Sequence, residues 1–111
     1  MNGPDFLDRQ LGQPAQALRL RAQRLELIAS NIANAATPGF KARDMDFGAA
    51  LSGAQNAIRY RVPVQASLDG NTVELSTEQT AFAENAVDYR ATLTFLTGRI
   101  QTIMAALKGG E

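Results

Sequence analysis

The sequence contains no cysteine and no histidine among its 111 residues. This absence excludes disulfides, thiolate chemistry, zinc sites built from the usual ligands and a Ser-His-Asp triad. Asp44 and Asp46 come closest to a pair of catalytic carboxylates, but they stand beside Lys41 and Arg43 in an irregular stretch. A solvated mixture of charges is the simpler interpretation. The sequence therefore predicts no enzyme activity, no metal site and no cofactor.

The sequence also lacks an excess of charge and a long hydrophobic run. Eleven basic residues balance eleven acidic ones, so the positive surface that nucleic acid or an acidic membrane would attract is missing. No apolar run approaches the roughly 20 residues that span a bilayer. The stretch that begins at Met1 shows neither the basic nor the apolar region of a cleaved signal peptide. We expect no nucleic acid and no small-molecule substrate as a partner.

A seven-residue repeat runs along the first long helix, which we predict over about residues 13–36. Large apolar residues recur every seven positions, and an alanine follows each of them four positions later. The large residues are Leu11, Leu18, Leu25 and Ile32. A strict seven-residue repeat keeps one narrow line of side chains facing a partner helix. The charged residues beside this line form, in our interpretation, a solvated face with minor ion pairs. They are Arg19, Arg21, Arg24 and Glu26.

A second repeat of the same length runs along a helix predicted over about residues 77–108. Ser76 and Gln79 have the spacing of a capping box at its start. The repeat consists of Phe82, Tyr89, Leu96 and Ile103, with Ala86, Leu93, Ile100 and Leu107 four positions after them. We call the two lines together the apolar seam. Because a two-helix hairpin would leave much of this seam exposed, the pattern favours packing against further helices from other chains.

The stretch between the helices, about residues 37–75, has no sustained period and is punctuated by glycine and proline. Residues 60–64 form a possible short extended piece, which Pro63 confines to an edge. Turn chemistry at Asp69, Gly70 and Asn71 is consistent with a tight turn or a small hairpin. A connection of this length in so small a chain suggests a loop that is mobile or ordered by a partner.

These patterns predict a mainly α fold in a single domain over residues 1–111. Two long heptad-patterned terminal helices would form an α-helical coiled-coil hairpin, joined by an irregular loop with at most a small β-hairpin. The pattern alone leaves two assemblies equally open. One is a hairpin that dimerises into a four-helix bundle, and the other is a larger polymer. A free-standing helical adaptor or export chaperone that binds a partner helix is the alternative function.

The junction at the end of the first helix carries the most specific local signal. Thr37 precedes proline and should leave the helix, and Pro38 and Gly39 fit the two central positions of a type II turn. Asn31 and Asn34 lie three residues apart on one helix face. Their amides could bond the turn or another chain, and the sequence leaves both possibilities open.

This junction resembles the N-terminal signature that bacterial flagellar rod, hook and hook-associated proteins share. The matching positions are Asn31, Ile32, Ala33, Asn34, Thr37, Pro38, Gly39 and Phe40. Residues 41–47, 68–73 and 82–86, with Tyr89, extend the resemblance toward the rod proteins and over nearly the whole chain. One departure is the short link between Phe47 and Tyr60, where proteins of this kind often carry more residues.

The resemblance implies a structural subunit of the flagellar basal-body rod, in its proximal part. It implies export through the flagellum-specific type III apparatus without a cleaved signal peptide, followed by assembly in the periplasm. The signature residues would set the helix-to-loop junction, and the terminal helices would pack as a coiled coil around the export channel. The implied partners are other rod proteins, further copies of the chain, the rod adaptor, the membrane-supramembrane ring and the export apparatus.

Overall fold

The computed structural model describes residues 6–109 as a mainly helical chain. The N-terminal residues 1–5, where a signal pattern was sought, lie outside the described residues, as do residues 110–111. The elements in chain order are helix α1 (Gln13–Ala33), strand β1 (Arg43–Met45), helix α2 (Phe47–Leu51), strand β2 (Ile58–Tyr60) and helix α3 (Leu75–Gly109). None of the helices within residues 6–109 is long and apolar enough to cross a membrane.

Helix α1 continues a π-helical turn at Asp8–Gly12 and passes through Pro14 near its start. Proline lacks the N–H that an α-helix requires at each interior position, and a wider turn tolerates that missing bond. The helix ends at Ala33, before the predicted end near residue 36. Asn34 leaves the helical conformation with φ −104° and ψ 18°, while its N–H still bonds the carbonyl of Ser30 at 3.1 Å.

Helix α3 begins at Leu75, so the predicted capping box is wrong: Ser76 already lies inside the first turn. The Ser76 carbonyl accepts a hydrogen bond from the Thr80 hydroxyl at 3.0 Å. The Glu78 N–H bonds the carbonyl of Glu74 at 3.0 Å, which closes the first turn. The carboxylate of Glu78 in that turn suits the positive end of the helix dipole.

The structure contains a small antiparallel sheet, but its strands do not flank residues 69–71, where the sequence suggested a possible hairpin. Strands β1 and β2 pair with Arg43 opposite Tyr60 and Met45 opposite Ile58. The hairpin considered around Asp69 is a turn without strands. The connection is therefore partly regular, and hydrogen bonds tie it to Asn31 of α1 and, through Arg61, to Glu78 of α3. The extended piece predicted over residues 60–64 overlaps β2 only at Tyr60, and β1 was not predicted, because three-residue strands are too short to show a period in the sequence.

Helices α1 and α3 lie antiparallel along the 68 Å length of the chain. Asn31 bonds Glu78 at 3.0 Å near the junction. Farther along, Arg21 pairs with Asp88 at 3.2 Å, and Gln10 accepts a hydrogen bond from Arg99. Each step along α1 toward the N-terminus is thus matched by an equal step along α3 toward the C-terminus. The coiled-coil form of this pair stays a prediction.

The buried apolar cluster lies between α1 and the connecting segment rather than between the two long helices. Leu20, Leu27 and Met45 form it, and Phe47 and Leu51 pack against it. The guanidinium of Arg21 lies 3.9 Å from the centre of the Phe47 ring. The cluster therefore fixes β1 and α2 on one side of α1.

Candidate functional site

The signature turn has the conformation that its sequence predicts. Gly39 adopts φ +75°, and the Phe40 N–H bonds the Thr37 carbonyl at 3.2 Å. The amide of Asn34 donates to the Ser30 carbonyl at 2.8 Å and accepts from the Thr37 hydroxyl at 3.1 Å. For Asn34, the structure therefore shows bonds to its own helix and turn.

A distant residue, Asn71, closes the end of helix α1. Its side-chain nitrogen lies 2.9, 3.1 and 2.7 Å from the carbonyls of Asn34, Ala35 and Thr37. These carbonyls lie just past the helix end, where the intrahelical pattern supplies no further donors. The Asn71 side-chain oxygen accepts from the Val73 N–H at 2.7 Å. Sequence reasoning assigned Asn71 only to a turn and missed this capping role.

The two glycine turns also bond each other through their backbones. The Gly39 N–H donates to the Asp69 carbonyl at 2.8 Å, and the Thr72 N–H donates to the Phe40 carbonyl at 2.9 Å. Gly70, with φ +77°, completes the second turn. The N–H of Asn71 bonds the Asp69 carboxylate at 3.0 Å and lowers the pKa of that group. The signature turn is thus paired with a second turn some thirty residues later.

Asn31 is fully buried and takes neither of the two roles that the sequence left open. Its nitrogen donates to the Arg43 carbonyl at 2.8 Å and to Glu78 Oε1 at 3.0 Å. Its oxygen accepts from the Arg43 N–H at 3.1 Å. Asn31 therefore pairs with the backbone of β1 as a neighbouring strand would, and joins it to both long helices.

Next to Asn31 lies a chain of ion pairs, which with it forms what we call the polar network. Arg24 binds both oxygens of Asp44 at 2.8 and 3.0 Å. Arg61 lies 3.1 Å from Asp44 and 2.9 Å from Glu78, which is 0% exposed. The interpretation of Asp44 and Arg24 as solvated charges is therefore wrong. Two arginines and two carboxylates balance one another, as buried charges must.

Burial alone would raise the pKa of Asp44, but the hydrogen bonds from Arg24 and from the Met45 N–H outweigh it and lower that pKa. The hydrogen bond to Asp44 likewise raises the pKa of Arg24. A carboxylate held ionised by two guanidinium groups is a poor proton donor or acceptor near neutral pH. Asp46 differs, since it is exposed, pairs with Arg59 at 3.2 Å and caps α2 through the Ala49 N–H at 3.1 Å.

Polar residues continue along the contact between α1 and α3. The Asn85 amide donates to the Arg21 carbonyl at 2.9 Å, and Arg21 reaches the Thr92 hydroxyl at 3.3 Å. The residues that face the other helix alternate in steps of three and four, and we call them the inner line. They are Arg21, Ile28 and Asn31 on α1 and Glu78, Ala81, Asn85, Asp88 and Thr92 on α3. Arg24 stands at the same spacing on α1, but its side chain binds Asp44 of β1. A search for apolar periodicity misses such a line because most of its members are polar.

The apolar seam lies one residue after the inner line on both helices. Its half-buried members are Leu11, Leu18, Tyr89, Leu96 and Ile103. Its exposed members are Leu25, Ile32, Phe82, Ala86, Leu93, Ile100 and Leu107. One residue turns an α-helix by about 100°. Since the helices are antiparallel, this rotation carries both halves of the seam to the same side of the hairpin.

The buried cluster lies on the other side of the hairpin. Leu20 and Leu27 each precede an inner-line position by one residue, and they pack against Met45. The connecting segment therefore covers one side of the hairpin and leaves the side of the apolar seam uncovered. Whether the seam packs against neighbouring chains stays a prediction.

The arrangement of these helices and their contacts defines a class of protein. Within residues 6–109, no group of three or more acidic residues is placed to hold a metal ion. The described contacts join two long helices at one end and leave an apolar seam uncovered along them. Such a chain belongs to the class of elongated, mainly helical proteins.

Comparison with known proteins names the family. Residues 15–41 match the family described as "Flagella basal body rod protein". The flagellar basal body rod protein FlgB of Cereibacter sphaeroides (strain ATCC 17029 / ATH 2.4.9) is 47% identical over 121 aligned residues, covering 90% of this chain and 94% of that protein. FlgB of Escherichia coli K12 is 38% identical, with 96% and 99% covered, and FlgB of Yersinia ruckeri is 42% identical, with 96% and 98% covered. The chain belongs to the FlgB group of the flagellar basal body rod proteins.

We predict that Gly39→Ala destabilises the chain by about 1 to 2 kcal/mol, because alanine rarely adopts a positive φ. No atom lies within 4 Å of the Cβ it would add, so the backbone alone sets the cost. Gly48→Ala is the matched control, since its Cβ would lie in ordinary contact, 3.7 Å from Asp46, within helix α2. Urea unfolding followed by circular dichroism measures both. Equal stability of the two variants would contradict the role of the turn.

We predict that Asp44→Asn lowers stability at pH 7 and that the deficit shrinks in acid. Because ion pairing lowers the pKa of folded Asp44 below that of the unfolded chain, its stabilisation is present above about pH 4 and is lost as the pH falls through the folded value. Urea unfolding between about pH 2 and pH 7 measures the difference from the parent chain.

Asp46→Asn is the matched control for this experiment, because Asp46 is exposed and asparagine also caps helices well. We expect its stability to differ little from that of the parent chain across the same pH range. A deficit of Asp44→Asn that stays constant from pH 7 to pH 2 would contradict the assignment.

Proposed function

We propose that this chain is a structural subunit of the proximal rod of the bacterial flagellum, and that neighbouring subunits pack as coiled coils against its apolar seam. The FlgB relatives support the rod assignment. Their name is that of a rod protein, which argues against an enzyme. The observation that carries the packing proposal is the position of the seam on the uncovered side of the hairpin.

The contact between α1 and α3 is mostly polar. It therefore leaves large apolar residues of the two helices exposed. Phe82 is 47% exposed and Leu93 is 43% exposed, although both lie in the seam. Burying such side chains fully contributes about 1.5 to 3 kcal/mol each. Helices from neighbouring chains, placed along the seam, would supply that burial and form a continuous helical layer.

The separation of a polar inner line from an exposed apolar seam supports a route of export followed by assembly. The proposed route leads through the flagellar type III apparatus without a cleaved signal peptide and ends in the periplasmic part of the basal body. Ordering the backbone costs about 1 to 2 kcal/mol per residue, which a hairpin with a polar inner line offsets only in part. The helices would therefore become fully ordered when rod neighbours cover the seam.

The proposed neighbours are other rod proteins and further copies of the chain, with the rod adaptor and the membrane-supramembrane ring at the base. A free-standing helical adaptor or export chaperone would use the same seam for one partner helix. Fractionation separates the two functions, since a rod subunit co-purifies with basal bodies and a chaperone stays in the cytoplasm.

We predict that the pair of substitutions Phe82→Gln and Leu93→Gln prevents incorporation into basal bodies and abolishes the gain of helicity with concentration in the purified chain. Glutamine keeps good helical propensity but removes the apolar surface. Val87→Gln is the matched control, because Val87 is an exposed apolar residue of α3 outside the seam. Circular dichroism and sedimentation over a dilution series, together with immunoblots of isolated basal bodies, measure the effect.

Normal incorporation of the double variant would contradict packing through the seam. A parent chain that is a fully helical monomer at low micromolar concentration would contradict the coupling of ordering to assembly. Failure of the parent chain itself to appear in basal bodies would support the chaperone instead.

A further inference from the structure

Each long helix contains a weak point in the part of the hairpin that lies away from the polar network. Helix α1 continues from a π-helical turn at Asp8–Gly12, and Pro14 stands just after that turn. Helix α3 contains Gly98, its only glycine before the one at its end. Sharp kinks in helices arise mostly at π-helical turns, at proline and beside glycine. Each helix therefore has a position at which it bends more easily than elsewhere.

The two weak points lie at the same level of the hairpin. Gln10 accepts a hydrogen bond from Arg99. Because equal steps along antiparallel helices keep residues level, Leu11 of the π-helical turn lies level with Gly98. A bend in one helix alone would pull it away from the other helix. Weak points at one level allow both helices to bend together.

The part of the hairpin beyond this level has no buried residues. We call it the distal arm, and it consists of residues 6–11 and residues 99–109. All of its side chains are exposed or half-buried. The buried residues begin at Leu20 on α1 and end at Asn85 on α3. Since regions with few buried contacts open at the lowest free energy, the distal arm is held less firmly than the rest.

An open cavity lies between the weak points and the polar network. Its volume is about 390 Å³, and its lining includes Pro14 and Ala17 of α1, Leu51 of α2, and Ala91 and Phe95 of α3. Close packing resists bending because a displaced side chain meets its neighbours at once. At this level the space between the helices leaves room for such a displacement.

We propose that the hairpin has a hinge at the level of Gly12 and Gly98, about which the distal arm swings as a unit. The polar network keeps the register of the remaining hairpin. Ile100, Ile103 and Leu107 of the apolar seam lie on the distal arm. Swinging therefore changes the angle at which this part of the seam meets another helix, while α1 and α3 stay together.

The hinge goes beyond the proposed rod function, because it belongs to the single chain whichever partner covers the seam. A chain without the hinge could still be a rod subunit. A chain with the hinge could equally be an adaptor, so the two proposals fail separately.

Distances between pairs of spin labels test the hinge, since the chain has no cysteine of its own. Val87→Cys with Ala105→Cys spans Gly98, and Gln79→Cys with Thr97→Cys is the matched control with the same spacing on one side of it. Both pairs are about 27 Å apart in a straight helix, and all four positions are exposed. The labelled full chain is diluted into excess unlabelled chain, at a concentration at which circular dichroism shows the helices formed.

We expect the distance distribution of the pair across Gly98 to be about twice as wide as that of the control pair, because bends concentrate at such positions. Adding Gly12→Ala and Gly98→Ala should narrow it to the control width, since alanine strengthens a helix interior. The added Cβ atoms meet no atom within 4 Å, so they do not disturb the packing. Gly48→Ala, in the short helix α2, should leave the wide distribution unchanged.

A third pair of labels separates swinging from fraying. Gln101→Cys with Ala105→Cys lies within the distal arm, and we expect the short and narrow distance of about one helical turn. Equal widths for the pairs across and beside Gly98 would overturn the hinge, as would a width that survives both alanine substitutions. A broad distribution for the third pair would overturn it too, because the distal arm would then unfold rather than swing.

Discussion

The fold depends on the polar network that Arg24, Asp44, Arg61, Glu78 and Asn31 form between the two long helices and the small sheet. Buried ion pairs add little net stability, but removing one partner leaves an uncompensated charge at a cost of about 3 to 5 kcal/mol. The network therefore mainly fixes the register, that is, which residues of α1, β1 and α3 face one another. Any shift of α3 along α1, or of β1 away from Asn31, would separate these partners, so the junction has one arrangement.

Because the inner line is mostly polar, most of the large apolar residues of the hairpin lie outside the contact between its helices. Because Asn85, Asp88 and Thr92 face α1, the large apolar residues of α3 lie to one side of the contact. The connecting segment covers the opposite side through Leu20 and Leu27. Hydrogen bonds and ion pairs thus line the contact between the helices, and the apolar seam lies outside that contact.

The sequence predicted the helices, the positive φ of Gly39 and the relationship to rod proteins, because heptads, Pro-Gly turns and a ten-residue signature are local signals. It did not predict that Asn71 would cap α1 or that Arg24 would bind Asp44, since neither pairing has a local spacing that marks it. The inner line was missed for a different reason. Its spacing of three and four was present, but polar residues at that spacing are ordinarily attributed to a solvated face.

We propose that the apolar seam is open in the single chain and covered in the rod. Labelling of a single thiol tests this most directly, with Leu93→Cys in a chain that has no other cysteine. We predict that a maleimide labels this thiol rapidly in the purified chain at low concentration and hardly at all in intact basal bodies, with labelling restored once the basal bodies are dissociated. Equally rapid labelling in intact basal bodies would contradict the claim.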